Sequence, residues 1–270
     1  MSDKPSSRLP AVVAPKHYDL VYERVDLQNH TFQGHVSLQC QALQSLPTAV
    51  ITLHAVELQI TTATLQHVDT QATVPAHEFS FHQRNQTLQM TFDGALQQGA
   101  DYVLKMEFHG ILNDQMRGFY RSTFQGLDGQ THTMATTQFE ATDARRAFPC
   151  MDEPALKATF TVTLTIPAHL ECISNTPLAA SLTAPDGKWK TLTFQKTPKM
   201  STYLLAMIVG HFDAISETSR QIVTTVYTIP GKALQARFCL DLAVRCLNYY
   251  QDLFGVPYPL VKSDLLAIPE

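Results

Sequence analysis

The chain has 270 residues, of which 44% are hydrophobic and 16% are charged, so it carries enough apolar material for a packed core and too little charge for disorder. This length predicts one large domain or two smaller ones. Nucleic acids and anionic membranes attract basic surfaces, so a formal net charge of −4 predicts neither kind of partner.

The amino terminus and the cysteines indicate the compartment. The first ten residues, MSDKPSSRLP, are polar and no apolar segment follows them, so no secretory signal is predicted. The longest apolar run, Tyr203 to Gly210, is too short to cross a membrane. The five cysteines are odd in number, widely spaced and without a CxxC pair, which favours reduced thiols. Together these features predict a cytoplasmic location.

Strand patterns dominate the first two thirds of the chain. Apolar and polar residues alternate in HVSLQCQA (35–42), DYVLKMEFHG (101–110) and TFTVTLTIP (159–167), which is typical of half-buried antiparallel strands. Further strand patterns begin near Tyr18, Ile51, Thr87, Thr191 and Thr202. The fold class is therefore predicted as mainly β, with an antiparallel β-sandwich or saddle as the N-terminal domain over residues 1–215.

The pattern changes after Pro230. One long helix is predicted, ending at Gly255, with Pro257 and Pro259 beyond it. Its apolar stripe is predicted to comprise Cys239, Leu242, Ala243, Cys246, Leu247, Tyr250 and Leu253. LLAIPE (265–270) then has the pattern of another strand. Residues 216–270 are predicted to be the beginning of a second, incomplete domain.

Catalytic motifs are scarce. HEFSFH (77–82) is one position away from the HExxH zinc motif, and its alternating phenylalanines favour a strand. GxSxG and Gly-rich phosphate loops do not occur in the sequence. Cys150 lies beside acidic residues, which raise a thiol pKa, so a structural role is predicted for it. The sequence predicts no catalytic residue and no metal ligand in this chain.

Charge is concentrated in TQFEATDARRAFPCMDEPALKATF (137–160). A turn-rich connection held by salt bridges is one interpretation, with Arg145 and Arg146 paired by Asp143, Asp152 or Glu153. Such a network would hold the segment without performing chemistry.

Gln138 and Glu140 suggest a binding role within that segment. If residues 134–140 form a strand, these two side chains project from the same face. A carboxylate and an amide oxygen together suit a primary ammonium group. The pair is therefore a candidate for binding the free amino terminus of a peptide, which distinguishes exopeptidases from endopeptidases.

The segment MATTQFEATDARRAFPCMDEPALKATFTVTL (134–164) resembles the zinc aminopeptidases of the aminopeptidase N and puromycin-sensitive aminopeptidase family. Five further segments match that family in order along the chain: RLPAVVAPKHYDLVY (8–22), RGFYRSTF (117–124), ISNTP (173–177), KMSTYLLAMIVGHFD (199–213) and YYQDLFGVPYPLVKSDLLAIPE (249–270).

The resemblance implies a β-saddle domain that caps an active-site cleft, followed by the helix and strand that start a thermolysin-like α/β catalytic domain. It implies that Glu140 binds the amino terminus of peptide substrates and that Gln138 assists it. An α-amino group has a pKa of about 7.7–8.0 and is largely cationic at neutral pH. The other implied partner is the missing catalytic domain of the same polypeptide, and the implied cofactor is zinc in the full-length protein.

The sequence also departs from that family. Its GAMEN motif, its HExxH helix and its third zinc-binding glutamate are absent from these 270 residues. The expectation is therefore that this chain alone binds no zinc and hydrolyses no peptide.

Three alternatives remain open. The saddle could serve as a non-catalytic interaction scaffold, or the chain could be a free-standing β-sandwich binding module, although its unpartnered helix argues against the latter. Epoxide-hydrolysing aminopeptidases share the implied architecture and have glutamine in place of the glutamate of QFE, so Glu140 favours a plain aminopeptidase.

Overall fold

The computed structural model describes residues 8–269. A long mixed sheet, a four-stranded sheet and a three-stranded sheet with one α-helix make up the described fold. The strands are β1 Val13–Asp26, β2 Thr31–Ala42, β3 Ala49–His54, β4 Gln59–His67, β5 Thr73–His82, β6 Thr87–Phe92, β7 Asp101–Ile111, β8 Gly118–Gln125, β9 Thr131–Gln138, β10 Thr159–Pro167, β11 Glu171–Ser174, β12 Leu178–Thr183, β13 Trp189–Phe194, β14 Met207–Gly210, β15 Asp213–Ser219, β16 Ile222–Thr228 and β17 Lys262–Leu266. The helix α1 is Arg237–Phe254, and short 3-10 helices are Ala144–Arg146, Thr202–Leu204 and Ala233–Ala236.

The ten-stranded sheet has the order β12-β13-β10-β1-β2-β7-β4-β5-β6-β3. Its three clearest predicted strands, β2, β7 and β10, alternate buried and less buried side chains along their length. The expectation of purely antiparallel pairing is wrong in one place in this sheet, because β1 and β10 run parallel from His17 paired with Thr159 to Tyr22 paired with Leu164. Parallel neighbours need a long connection, and here most of the domain forms it.

The four-stranded sheet, in the order β11-β14-β9-β8, packs against the long sheet. Aromatic rings join the two layers: the ring centroid of Phe119 on β8 lies 5.6 Å from that of Tyr22 and 5.4 Å from that of Phe32. All three side chains are at most 2% exposed, so they form the middle of a shared core. Two packed β-layers confirm the predicted sandwich.

The third sheet, β15-β16-β17, carries α1 on one face. The last residue of the helix is Phe254, and Gly255 follows it in the left-handed conformation expected of a helix stop, with a φ of 63°. Lys262 Nζ donates to the carbonyl of Ser174 on β11 at 2.7 Å, and Ser122 Oγ on β8 donates to the carbonyl of Pro269 at 2.5 Å. These bonds attach the third sheet to the second.

The predicted apolar stripe of α1 is only partly correct. Leu240 and Val244, which lie outside that stripe, are the buried side chains of α1, and they pack with Ala236 against Val226 of β16. Cys239 from the predicted stripe is partly buried against this cluster. Leu242, Tyr250 and Leu253 from the predicted stripe are 46%, 52% and 56% exposed. Because α1 has apolar residues on more than one face, the periodicity alone cannot determine which face meets the sheet.

Other sequence expectations can be compared with the strand bounds. HEFSFH (77–82) lies within β5, as its alternation indicated. The last strand spans Lys262–Leu266, so it begins before LLAIPE and ends within it, and it pairs parallel to β16. The division predicted between residues 215 and 216 falls inside β15, which pairs along its whole length with β16; it stays a prediction. Within residues 8–269, no helix is long and apolar enough to cross a membrane.

Candidate functional site

The candidate site lies where β9 ends. Gln138 is the last residue of the strand and is exposed, Phe139 is 2% exposed, and Glu140 is exposed again. The buried ring of Phe139 packs edge-on against Phe148, with ring centroids 6.2 Å apart. The sandwich core therefore holds the middle residue and leaves the amide of Gln138 and the carboxylate of Glu140 at the surface.

The predicted strand over residues 134–140 is two residues too long. The chain turns after Gln138, and the carbonyl of Phe139 accepts a hydrogen bond from the N–H of Asp143 at 2.8 Å. The peptide bond between Glu140 and Ala141 is cis. The Gln138 side chain folds toward this turn, and its Nε2 donates to the backbone carbonyl oxygen of Glu140 at 3.5 Å. Gln138 and Glu140 are both exposed, with the buried Phe139 between them, and the shared face of their side chains stays a prediction.

A buried ion pair stabilises the turn that follows. Arg145 Nε donates to Asp152 Oδ2 at 2.9 Å, and Arg145 Nη2 donates to the carbonyl of Asp152 at 3.1 Å. Asp152 Oδ1 accepts a 2.6 Å hydrogen bond from Thr202 Oγ1, and Gln86 Oε1 accepts one of 2.9 Å from Arg145 Nη1. A buried charge pair is stable when its remaining donors and acceptors are satisfied, as they are here.

The neighbouring guanidinium forms a second set of ion pairs. Arg146 contacts Asp143 at 2.7 Å and Glu57 at 2.6 Å. Arg146 also packs against Gly118, which pairs with Gln138 across β8 and β9. The salt-bridge interpretation of this segment is thus confirmed for Asp143 and Asp152. Glu153, the third acid offered as an alternative partner, accepts a hydrogen bond at Oε1 from the backbone N–H of Leu9 instead.

Burial sets the protonation of the groups beneath the turn. Burial, with Arg145 nearby, lowers the pKa of His54 from 6.5 to about 4, so this imidazole is neutral near neutral pH. Its Nδ1 accepts a hydrogen bond of 3.2 Å from the backbone N–H of Asp152. Burial and then Asp152 raise the pKa of the Cys150 thiol well above its usual value, which supports the structural role predicted for Cys150.

Glu140 differs from the acids of the network. Asp143 and Asp152 each bind an arginine, whereas no ion pair within residues 8–269 reaches the Glu140 carboxylate. An exposed carboxylate on a segment held by a buried framework is available for an external cation. The exposed Gln138 side chain carries a second acceptor, its amide oxygen.

Several residues of this framework were not found from the sequence. They come from four separate segments, with no common spacing along the chain: His54 with Glu57, then Gln86, Gly118 and Thr202. The described part of the chain also contains no group of three His, Cys, Asp or Glu side chains that could hold a metal ion. The side chains of the described residues therefore do not fit a zinc site.

Residues 14–204 match the family model described as the Peptidase M1 N-terminal domain. Aminopeptidase M1-C of Oryza sativa subsp. japonica is 44% identical over 265 residues, covering 98% of this chain and 29% of the relative. Puromycin-sensitive aminopeptidase of Caenorhabditis elegans is 39% identical, covering 97% of this chain and 27% of the relative. Endoplasmic reticulum aminopeptidase 1 of Homo sapiens is 40% identical, covering 97% of this chain and 28% of the relative.

The chain thus spans less than a third of the length of these curated relatives. The family model covers most of the two-layered sandwich, from within β1 to the 3-10 helix at Thr202–Leu204, and it includes the Gln138–Glu140 turn and its framework. With its β-rich architecture and its aminopeptidase relatives, the chain belongs to the Peptidase M1 N-terminal domain family.

Proposed function

We propose that this chain is the amino-terminal portion of a zinc-dependent aminopeptidase that removes amino-terminal residues from peptides. Within that enzyme the sandwich caps the active site, and Glu140 with Gln138 binds the free α-amino group of the substrate. The exposed Glu140 carboxylate, held beside the buried Phe139 and without an ion pair among the described residues, is the observation that carries the proposal.

The proposed binding step needs only the residues of this chain. The α-ammonium group donates up to three hydrogen bonds, and the Glu140 carboxylate and the Gln138 amide oxygen can each accept one. A hydrogen bond to a charged group contributes about 1.5–3 kcal/mol, which is roughly ten- to a hundredfold in selectivity for a free amino terminus. The Arg145–Asp152 pair holds the turn that carries this carboxylate.

Zinc is part of this proposal for the longer protein only. When bound there, the metal would activate the attacking water. We propose that zinc and the catalytic groups belong to a catalytic domain that follows the sandwich, and that the isolated chain is inactive. The apolar side chains exposed on α1, such as Phe238 at 78% and Phe254 at 69%, support the presence of a covering domain.

We also propose a cytoplasmic location for the longer protein. All five cysteines are free, and Cys40 and Cys150 are buried in the core. Free thiols are typical of a reducing compartment, which supports the cytoplasm.

The decisive experiment is to read the natural coding frame beyond Glu270 and then to test Glu140 in the encoded protein. An HExxH motif with a later zinc-binding glutamate supports the aminopeptidase. A frame that lacks the zinc ligands supports the alternative, an interaction scaffold built on the same sandwich, and removes the proposed role of Glu140.

In the longer protein, Glu140→Gln is expected to lower kcat/KM for a substrate with a free amino terminus by about ten- to a hundredfold. Glu78→Gln, at an exposed position on β5, is the matched control and is expected to leave kcat/KM unchanged. Equal kcat/KM values for the Glu140 variant and the control would show that Glu140 does not bind the amine.

A further inference from the structure

A polar pocket lies at the opposite end of β9 from Glu140. It has a volume of about 620 Å³ and is bounded by the turn between β1 and β2, the start of β9, the turn between β10 and β11, and the end of β14. His132 and Gln138 are six residues apart on β9, which corresponds to about 20 Å of extended strand. The pocket is therefore separate from the candidate amine site.

Histidines from separate elements line this pocket. The ring centroid of His211 lies 5.4 Å from that of His169 and 6.2 Å from that of His132, and His30 lines the same pocket. Within residues 8–269, the imidazoles of His169 and His211 form no hydrogen bond or ion pair. Their ring nitrogens are therefore available to a ligand.

Two basic side chains, Arg24 and Lys188, also line the pocket. The guanidinium of Arg24 lies over the ring of Trp189, with Cζ 4.6 Å from the ring centroid, and Lys188 lines the pocket beside it. A guanidinium stacked on an indole keeps its N–H donors at the edge, where they can reach an anion.

The carboxylate inside the pocket is already bound by its own chain. Asp26 Oδ1 accepts hydrogen bonds of 3.0 Å from the N–H groups of Gln28 and Asn29. Asp26 Oδ2 accepts one of 3.0 Å from Asn29 Nδ2 and lies 3.3 Å from Arg24. The hydrogen bonds from Asn29 and Gln28 lower the pKa of Asp26, and the neighbouring Arg24 guanidinium offsets part of its negative charge.

Two acids outside the lining act on the imidazoles. Asp128 Oδ1 lies 3.0 Å from His132 Nε2, so the carboxylate favours the tautomer with a proton on Nε2 and leaves Nδ1 as the other ring nitrogen. Burial, then His169 and His132, lower the pKa of His211, while Glu171 acts in the opposite direction. An anion between the imidazoles would relieve their mutual repulsion.

The pocket does not have the geometry of a metal site. Among the described residues, no three His, Cys, Asp or Glu side chains are placed to hold a metal ion. Four imidazoles with one arginine and one lysine, around an acid that is already satisfied, favour an anionic ligand.

We propose that this pocket binds a small dianion of the size of a sulfate or a phosphate group, and that it binds this ligand more tightly as the solution is acidified. The bound anion accepts hydrogen bonds from His169 and His211 and is attracted by Arg24 and Lys188. Leu27 and Leu170 line the same pocket and provide an apolar wall for an organic phosphate ester.

Sulfate is the first probe because it remains a dianion throughout the range in which imidazoles titrate. Binding to the 270-residue chain is measured by calorimetry, and by NMR of the histidine rings, at constant ionic strength. The dissociation constant is expected to be at least about tenfold lower at about pH 5.5 than at about pH 8. A dissociation constant that does not change with pH would overturn the proposal.

The variant His169→Ala/His211→Ala is expected to weaken sulfate binding by about tenfold or more at about pH 5.5. His35→Ala is the matched control, because His35 is a surface histidine paired with Glu23 on the long sheet and lies outside the pocket. Equal loss of binding in both variants, or equal NMR shifts with sodium chloride at matched ionic strength, would contradict a defined site. So would stoichiometric binding of Zn²⁺ with no response to sulfate.

Two further ligands identify the source of the dianion. Phenyl phosphate and inorganic phosphate are compared at one pH, where their charges are similar. Tighter binding of phenyl phosphate supports an organic phosphate ester that uses Leu27 and Leu170. Equal binding supports the inorganic ion, and absence of binding by both overturns the phosphate part of the proposal.

Discussion

Arg145 and Asp152 form a buried ion pair in which Nε donates to Oδ2 at 2.9 Å, and the two side chains are 8% and 2% exposed. The pair links the 3-10 helix that follows Glu140 to the chain that leads into β10. His54, Gln86 and Thr202 complete it from three other parts of the fold. The position of the candidate amine site therefore depends on interactions that are not part of the site itself.

Asp152→Asn is expected to lower the free energy of unfolding by about 3–5 kcal/mol, because it leaves the guanidinium of Arg145 buried without a counter-charge. Urea unfolding followed by circular dichroism measures this change. Asp252→Asn is the control, since the Asp252–Arg220 pair is exposed, and no measurable change is expected there. Equal stability of the two variants would show that the buried pair does not hold the fold.

Gly118→Ala is expected to destabilise the protein by more than about 1 kcal/mol. Gly118 has a φ of +68°, and an added Cβ would lie 2.7 Å from Cβ of Arg146. Gly129→Ala is the control, since Gly129 has a similar φ of +75° with no atom within 4 Å of the added Cβ. Comparing the melting temperatures of the two variants separates the effect of backbone strain, which both share, from that of the steric clash at Gly118. A smaller decrease in melting temperature for Gly118→Ala than for Gly129→Ala would contradict the contact between Gly118 and Arg146.

Stability is expected to depend on pH through His54. Burial lowers its folded pKa to about 4, below the 6.5 of an ordinary histidine, so the unfolded chain binds a proton that the folded chain does not. Lowering the pH from about 6.5 to about 4 therefore favours unfolding, by about 2 kcal/mol after allowance for solvent screening.

His54→Gln removes this titration while its amide oxygen can still accept the hydrogen bond from Asp152 N–H. The variant is expected to lose less stability than the wild type between about pH 6.5 and pH 4, as measured by urea unfolding at several pH values. His35→Gln, at a surface histidine, should show the same change of the free energy of unfolding with pH as the wild type. If His54→Gln also shows the wild-type pH dependence, a group other than His54 causes it.

A further prediction follows from which side chains of α1 are buried. Leu240 is fully buried against the third sheet, so Leu240→Ala is expected to lower the free energy of unfolding by about 2–5 kcal/mol. Leu253 is 56% exposed, and Leu253→Ala is expected to change it by less than about 0.5 kcal/mol. The reverse order would restore the helix orientation that the sequence predicted.

The sequence predicted most strands because their apolar and polar residues alternate along one chain segment. β10, for example, alternates from Thr159 to Pro167 with one face in the core. The orientation of α1 was not predictable, because apolar residues such as Leu240 and Leu253 lie on different faces and only the neighbouring sheet selects between them. The family resemblance rested on local motifs, and the family match confirmed it.

The candidate site was partly predictable for the same reason. Gln138 and Glu140 are close in the sequence, so the pattern around Phe139 indicated them, although β9 ends at Gln138. The partners that hold the following turn, such as His54 and Gln86, are 98 and 59 residues from the groups that they bind. Contacts over such distances depend on the packing of the whole domain and leave no local pattern in the sequence.

The parallel pairing of β1 with β10 has a consequence for synthesis on the ribosome. His17 lies opposite Thr159, 142 residues later, so one edge of β1 has no native neighbour until most of the sandwich has been translated. At a translation rate of about 5–20 residues per second, this interval is roughly seven to thirty seconds. During it the nascent chain presents an unpaired edge to other chains, a hazard for aggregation that makes chaperone binding useful to this domain before its last strands emerge.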